Sequence, residues 1–126
     1  KRGCVETFLS GPGFERDYRL RSGAPRSSPD IARAAAAGEP HAARALERYT
    51  DRLARALAVV LNILDPGAVV LGGGMSNLPG LAPAVAARLP RYVFSDAVLT
   101  AVVPNAHGDS SGVRGAAWLW PAAAPK

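Results

Sequence analysis

Apolar residues recur at steps of three and four through the middle of the chain, with arginines and acidic residues between them. This spacing places the apolar side chains on one face of an α-helix. Asp65, Pro66 and Gly67 follow, and proline disfavours helical backbone at the residue before it. The pattern therefore predicts one long helix over Pro40–Leu64 and a reversal of the chain directly after it.

Two short apolar stretches have the composition of β-strands. Ala68–Leu71 is rich in β-branched residues and does not alternate with polar ones, which is typical of a strand covered by helices on both faces. Val98–Val103, between Asp96 and Pro104, is the second predicted strand. Two strands are few for a complete sheet, so we expect the remaining strands upstream of this chain.

Four shorter helices are predicted from apolar spacing and from residues typical of helix ends. They run from Pro12 to Gly23, from Pro29 to Ala37, from about Pro79 to Leu89 and from Val113 to about Trp120. Ser28 is the expected N-cap of the second of these helices, and Ser10–Gly13 is expected to form a plain turn. Helices that alternate with strands are typical of an α/β fold.

Length and composition indicate a single domain over residues 1–126. Hydrophobic residues make up 48% of the chain and charged residues 20%, which is close to average globular usage. The longest apolar runs are much shorter than the ~20 residues that a helix needs to cross a bilayer, and no signal-peptide core follows the amino terminus. The single cysteine suits a reducing compartment. We therefore expect a cytoplasmic protein without a membrane partner.

The net charge of +5 raises nucleic acid as a partner. The arginines, however, are distributed over the faces of predicted helices among acidic residues. They form no basic cluster with interleaved aromatic residues, which a nucleic-acid surface requires. The charge pattern therefore does not favour nucleic-acid binding.

A run of small residues follows the first predicted strand and is the clearest candidate site. Ligands of α/β proteins bind beyond the carboxyl ends of strands, and glycine lets a ligand approach the backbone closely. The run has neither the G-x-G-x-x-G spacing nor the G-K-[ST] of a P-loop. A ligand site and a tight turn without a ligand both fit this pattern. The run consists of Gly72, Gly73, Gly74, Met75, Ser76 and Asn77.

Several segments resemble, in order and at matching spacing, the motifs of one family. Lys1–Gly11 resembles the end of a zinc motif, C-x-C-G-x-x-G-C-x-E. Asn62–Pro66 and Val69–Asn77 resemble an adenosine motif, and His107–Trp120 resembles the carboxyl end of bacterial fructokinases. The family is the ROK (repressor, ORF, kinase) family. The resemblance implies part of the carboxyl-terminal lobe of an actin-like, ribonuclease-H-like sugar kinase, with the amino-terminal lobe absent from this chain.

The resemblance also implies roles for particular residues. Glu6 matches the sugar-binding glutamate of the family, although the pattern alone favours an exposed acid. The run Gly72–Asn77 would hold the adenosine of ATP. Cys4 matches the third cysteine of the zinc motif and would be the only zinc ligand in this chain. Zinc takes four ligands, so Cys4 alone does not hold the ion and is alternatively a small buried residue.

By this resemblance, the full-length protein transfers the γ-phosphoryl group of ATP to a hexose with Mg²⁺, and fructose is the first expectation. A kinase of N-acetylglucosamine or glucose, a sugar-responsive repressor and an inert remnant are the alternatives. The family's catalytic base is an aspartate in the amino-terminal half. We therefore expect no catalytic residue in this chain and no activity from it alone. The full-length protein is expected to be a homodimer.

Overall fold

Helices make up most of residues 3–119, the part of the chain that the structure, a computed structural model, describes. Two strands form a small sheet, and two short 3-10 turns lie at Gly74–Asn77 and Leu89–Arg91. Within the described residues, no helix combines the length and the apolar character needed to cross a bilayer. In chain order the elements are α1 (Glu6–Leu9), α2 (Gly11–Ser22), α3 (Ser28–Ala36), α4 (Pro40–Leu64), β1 (Ala68–Leu71), α5 (Leu81–Ala86), β2 (Ala101–Pro104) and α6 (Ser111–Ala117).

The long helix α4 has the predicted bounds and is the centre of the core. The carboxylate of Glu39 caps its start by accepting hydrogen bonds from the backbone N–H groups of His41 and Ala42. Asp65 ends it in the left-handed conformation, with φ at 42°. The buried face of α4 packs against α2 and α3, where the rings of Phe14 and Tyr49 are 5.2 Å apart. The apolar spacing of α4 therefore points its buried face at the other helices.

The sheet is parallel, and its second strand begins later than predicted. β2 begins at Ala101 and pairs residue by residue with β1, from Ala68 opposite Ala101 to Leu71 opposite Pro104. The hydroxyl of Thr100 donates to the carbonyl of Pro66 over 2.7 Å, which holds this register. The prediction that the strand begins at Val98 was wrong, because residues 98–100 precede the paired segment as a connection without a ladder.

One face of β1 is open, which corrects the prediction that helices cover both faces. Val69 and Leu71 pack against the core, whereas Ala68 and Val70 are exposed, Val70 to 60%. Successive side chains of a strand point to opposite faces. Within residues 3–119 the helices therefore cover only one of these faces.

The shorter helices are confirmed, with shifted ends. Ser27 is the N-cap of α3 in place of the expected Ser28, because the Ser27 hydroxyl accepts from the N–H of Asp30. Leu89 lies in a separate 3-10 turn, since α5 ends at Ala86. The last helix ends at Ala117, and the predicted end near Trp120 lies outside the described residues.

Gly13 allows α1 and α2 to pack in close contact. A Cβ atom at Gly13 would lie 2.8 Å from the carbonyl oxygen of Thr7 and 2.9 Å from Cα of Phe8. Both distances are shorter than real Cβ contacts. The Ser10 hydroxyl accepts from the N–H of Gly13 over 3.1 Å and caps α2 at the same point. Glycine is therefore required where these two helices meet.

Asp17 of α2 is the centre of an ionic cluster that ties α2 to α4. Its carboxylate accepts from Arg48 at 2.6 Å and from Arg52 at 3.1 Å, and Arg21 lies 3.7 Å away. Burial by itself raises the pKa of Asp17, but the hydrogen bonds and charges of Arg48 and Arg52 outweigh it and leave the pKa below its usual value. The ionised carboxylate therefore stabilises the contact between the two helices.

Replacing Asp17 by asparagine is expected to lower the free energy of unfolding at pH 7 by about 1.5–3 kcal/mol, the contribution of a hydrogen bond to a charged group. Because the folded pKa is lowered, this stabilisation is present above the unfolded pKa of ~3.9 and is lost as the pH falls through the folded value. Urea denaturation of the wild-type and Asp17→Asn proteins between neutral and strongly acidic pH measures this difference in the free energy of unfolding. Asp96→Asn, at an exposed aspartate, is the control. If the wild-type and Asp17→Asn proteins still differed in stability at the most acidic pH, the prediction would be contradicted.

Candidate functional site

The glycine run forms a tight turn at the carboxyl end of β1. Gly73 has φ 76° and ψ 176°, a backbone region that is essentially restricted to glycine. The chain then makes the 3-10 turn Gly74–Asn77, in which both the N–H and the hydroxyl of Ser76 donate to the carbonyl of Gly73. Glycine at position 73 is therefore what allows the strand to turn sharply at the edge of the sheet.

Asn105, which the sequence analysis did not single out, holds this turn in place. Its backbone N–H and its side-chain Nδ2 both donate to the carbonyl of Leu71, over 3.0 and 3.2 Å. Nδ2 also donates to the hydroxyl of Ser76 over 3.1 Å, and Oδ1 accepts from the hydroxyl of Ser111 over 3.2 Å. In the sequence, the signal for this role is that a polar residue directly follows β2. Because β1 and β2 are parallel, the residues that follow the two strands lie at the same edge of the sheet.

A cavity of about 600 Å³, here called the glycine-turn cavity, opens between this turn and α3. Gly74, Met75 and Asn77 line it, whereas Gly72, Gly73 and Ser76 do not. Of these three, Gly73 and Ser76 shape the turn instead. The other lining residues come from α3 and its neighbours and are mostly small or apolar: Gly11, Ser28, Pro29, Ala32, Arg33, Ala36, Leu78 and Pro79.

Gly11 brings the start of α2 into contact with the glycine turn. A Cβ atom at Gly11 would lie 3.5 Å from Oγ of Ser28 and 3.6 Å from Sδ of Met75. The prediction of a plain turn at Ser10–Gly13 was wrong, since Gly11 begins a helix. Gly11 also borders the cavity, in line with the alternative that this stretch lies beside a ligand cleft. Gly11 and Met75, more than 60 positions apart in the sequence, meet here only because the chain folds.

A second cavity of about 950 Å³, here called the Glu6 cavity, is lined by other residues of α1, α2 and α3 and of their flanking segments. Glu6, exposed in the first turn of α1, lines it with Cys4 and Ser10. Tyr49 of the core has its pKa raised to about 12, first by burial and then by the negative charge of Glu6. The remaining lining residues are mainly charged or polar: Thr7, Pro12, Gly13, Glu15, Arg16, Arg19, Pro25, Arg26, Ser27 and Asp30.

The described residues do not fit a zinc site. Cys4 is exposed, which also corrects its alternative interpretation as a small buried residue. Within residues 3–119, no group of three or more histidine, cysteine, aspartate or glutamate side chains could hold a metal ion. A single thiolate supplies one of the four ligands that structural zinc takes, so we derive no role for zinc from this chain.

Solved structures with this fold include sugar kinases and a ROK family transcriptional regulator. A ROK hexokinase from Thermus thermophilus superposes with a TM-score of 0.78 at 31% identity, over 91% of this chain and 39% of that one. A ROK family glucokinase from Streptomyces griseus, solved in complex with glucose and AMPPNP, also has a TM-score of 0.78, at 24% identity over 94% of this chain and 45% of that one. The chain therefore has part of the α/β, actin-like fold of these kinases, as predicted.

The sequence comparison identifies the family. The ROK family profile matches residues 1–123. An N-acetyl-D-glucosamine kinase from Vibrio parahaemolyticus is 41% identical over 119 residues, which are 94% of this chain and 39% of that protein. The chain therefore belongs to the ROK family, and it spans about two fifths of the length of the curated relative that it matches.

Proposed function

We propose that this chain is part of an ATP-dependent kinase that phosphorylates N-acetylglucosamine. The observation that carries the proposal is the 41% identity to an N-acetyl-D-glucosamine kinase along 94% of the chain. That relative favours the amino sugar over fructose, which the motifs suggested first. A homodimeric full-length protein and a single unit over residues 1–126 stay predictions.

The glycine-turn cavity is proposed to take the adenosine of ATP. Its volume of about 600 Å³ lies within the range of small-molecule sites, which are mostly apolar with a few polar groups. It lies beyond the carboxyl end of β1, where α/β proteins bind ligands. Asn77 is a polar lining residue available to the base or ribose, and Arg33 also lines the cavity while it pairs with Asp30. Mg²⁺, when bound with ATP, would neutralise charge on the phosphates.

The Glu6 cavity is proposed to take the sugar. An ionised carboxylate accepts hydrogen bonds from several hydroxyl groups and bonds them more strongly than a neutral acceptor. Glu6 is exposed within this cavity and is free to meet a ligand. No general base is assigned among the described residues, so their proposed contribution is to position the two substrates. Positioning supplies a large part of the rate in phosphoryl transfer.

An assay of ADP release by the full-length protein, with N-acetylglucosamine, glucose and fructose as acceptors, tests this function. We expect kcat/KM for N-acetylglucosamine to exceed that for the other two sugars at least ~10-fold, a difference of about 1.4 kcal/mol in transition-state binding. A preference for fructose would return the assignment to fructokinase. Absence of turnover with every sugar, together with sugar-dependent DNA binding, would point to a repressor.

A further inference from the structure

The two cavities share one wall, built from the first turns of α2 and α3. In α2, Gly11 lines the glycine-turn cavity, while its neighbour Ser10 lines the Glu6 cavity. In α3, Ser28 lines the glycine-turn cavity, while Ser27 and Asp30 line the Glu6 cavity. Adjacent residues at the starts of α2 and α3 therefore border different cavities.

A hydrogen-bonded pair crosses the middle of this wall. Oε1 of Glu15, a residue of α2 that lines the Glu6 cavity, accepts from the backbone N–H of Ser28 over 2.8 Å and from its hydroxyl over 2.9 Å. Ser28 is buried and lines the glycine-turn cavity. Its hydroxyl also lies 3.4 Å from the carbonyl oxygen of Gly11. The pair therefore links a residue of one cavity directly to a residue of the other.

We propose that Glu15 is a positioning residue that couples sugar binding to nucleotide binding, an inference that rests on the proposed function. Its carboxylate makes charge-assisted hydrogen bonds, which are stronger than neutral ones, so it ties α2 and the start of α3 into one unit. A ligand in either cavity restrains this unit, and the second ligand then loses less conformational entropy on binding. The coupling is reciprocal, because both ligands act on the same equilibrium.

Calorimetric titration of the full-length protein with N-acetylglucosamine, in the presence and absence of AMPPNP, measures this coupling. AMPPNP is expected to tighten sugar binding to the wild-type protein by ~5-fold or more, the usual lower range of such effects. Glu15→Ala removes both hydrogen bonds to Ser28. In this variant AMPPNP should change the affinity for the sugar by less than about twofold. Glu15→Gln keeps an acceptor oxygen but loses the charge, so its coupling factor should lie between those of the wild-type and Glu15→Ala proteins. Glu47→Ala, at an exposed glutamate of α4 outside both cavities, is the matched control and should keep the wild-type factor.

Ser28→Ala provides a second, milder test, because it removes the hydroxyl donor and keeps the backbone N–H of the pair. Its coupling factor should lie between those of the wild-type and Glu15→Ala proteins. A wild-type factor near unity with both ligands bound would overturn the coupling and leave the proposed function intact. A wild-type factor retained in Glu15→Ala or Ser28→Ala would also overturn it. A wild-type protein that binds neither ligand would overturn the coupling and the proposed function together.

Discussion

Replacing Gly73 by valine in the full-length protein is expected to raise the KM for ATP by roughly 5- to 150-fold, with little change in the KM for the sugar. Gly73 has φ 76° and ψ 176°, and a residue held in such a region costs about 1–3 kcal/mol, which corresponds to that range. The space around Gly73 is open, with no atom within 4 Å of an added Cβ. The loss therefore comes from the backbone of the turn, which no longer places Gly74 and Met75 against the cavity. Initial-rate measurements with ATP and the sugar varied separately test this.

The neighbouring Gly72→Val is the matched control for this substitution. An added Cβ at Gly72 also meets no atom within 4 Å, and Gly72 has no left-handed φ. Gly72 follows the last residue of β1, where a β-branched side chain is readily accommodated. We expect near wild-type kinetics from this variant. Equal harm from both substitutions, or equal losses for ATP and sugar in Gly73→Val, would refute the explanation from backbone conformation.

Replacing Glu6 by glutamine is expected to lower kcat/KM for N-acetylglucosamine by roughly 10- to 150-fold, because hydrogen bonds to charged groups are worth about 1.5–3 kcal/mol. Glutamine has the same size but no charge, and it exchanges one acceptor oxygen for a donor. The backbone carbonyl of Glu6, which accepts from the Ser10 hydroxyl over 2.7 Å, is unchanged. The local helix should therefore persist, and the KM for ATP should remain close to the wild-type value. Steady-state kinetics with the sugar varied at saturating ATP measure the effect.

Glu47→Gln makes the same chemical change at an exposed glutamate that does not line the Glu6 cavity. Its kcat/KM should match the wild type, which separates a contact with the sugar from a general effect of lost charge. Thermal unfolding of both variants checks that they are folded. If folded Glu6→Gln kept the wild-type kcat/KM for every sugar tested, Glu6 would be only a surface acid.

Local patterns predicted much of the fold because they depend on residues close together in the chain. The helix Pro40–Leu64 has its predicted bounds, since its apolar period, the proline at its start and Asp65-Pro66 at its end all act within a few residues. The start of β2 was wrong because the Thr100 hydrogen bond to Pro66 joins residues 34 positions apart. No local pattern near Val98 contains that information.

The candidate site was predicted in part for the same reason. The run Gly72–Asn77 was found from composition and its place after a strand, but only the structure distinguishes residues that line the cavity from those that shape the turn. Asn105 was missed because its partners, Leu71 and Ser76, lie 34 and 29 positions away. One polar residue after a predicted strand carries too little signal to indicate such contacts.

The sequence by itself determined the family, the α/β class, the long helix and the position of the glycine run after β1. Each of these follows from motifs or periodicity within short segments. Tertiary structure alone decided which residues share a cavity and which side of the shared wall each one borders. The Glu15–Ser28 and Asp17–Arg48 pairs join residues 13 and 31 positions apart. Such pairs form only when helices pack at a particular angle, and that angle is set by the whole core rather than by the spacing of residues within one helix.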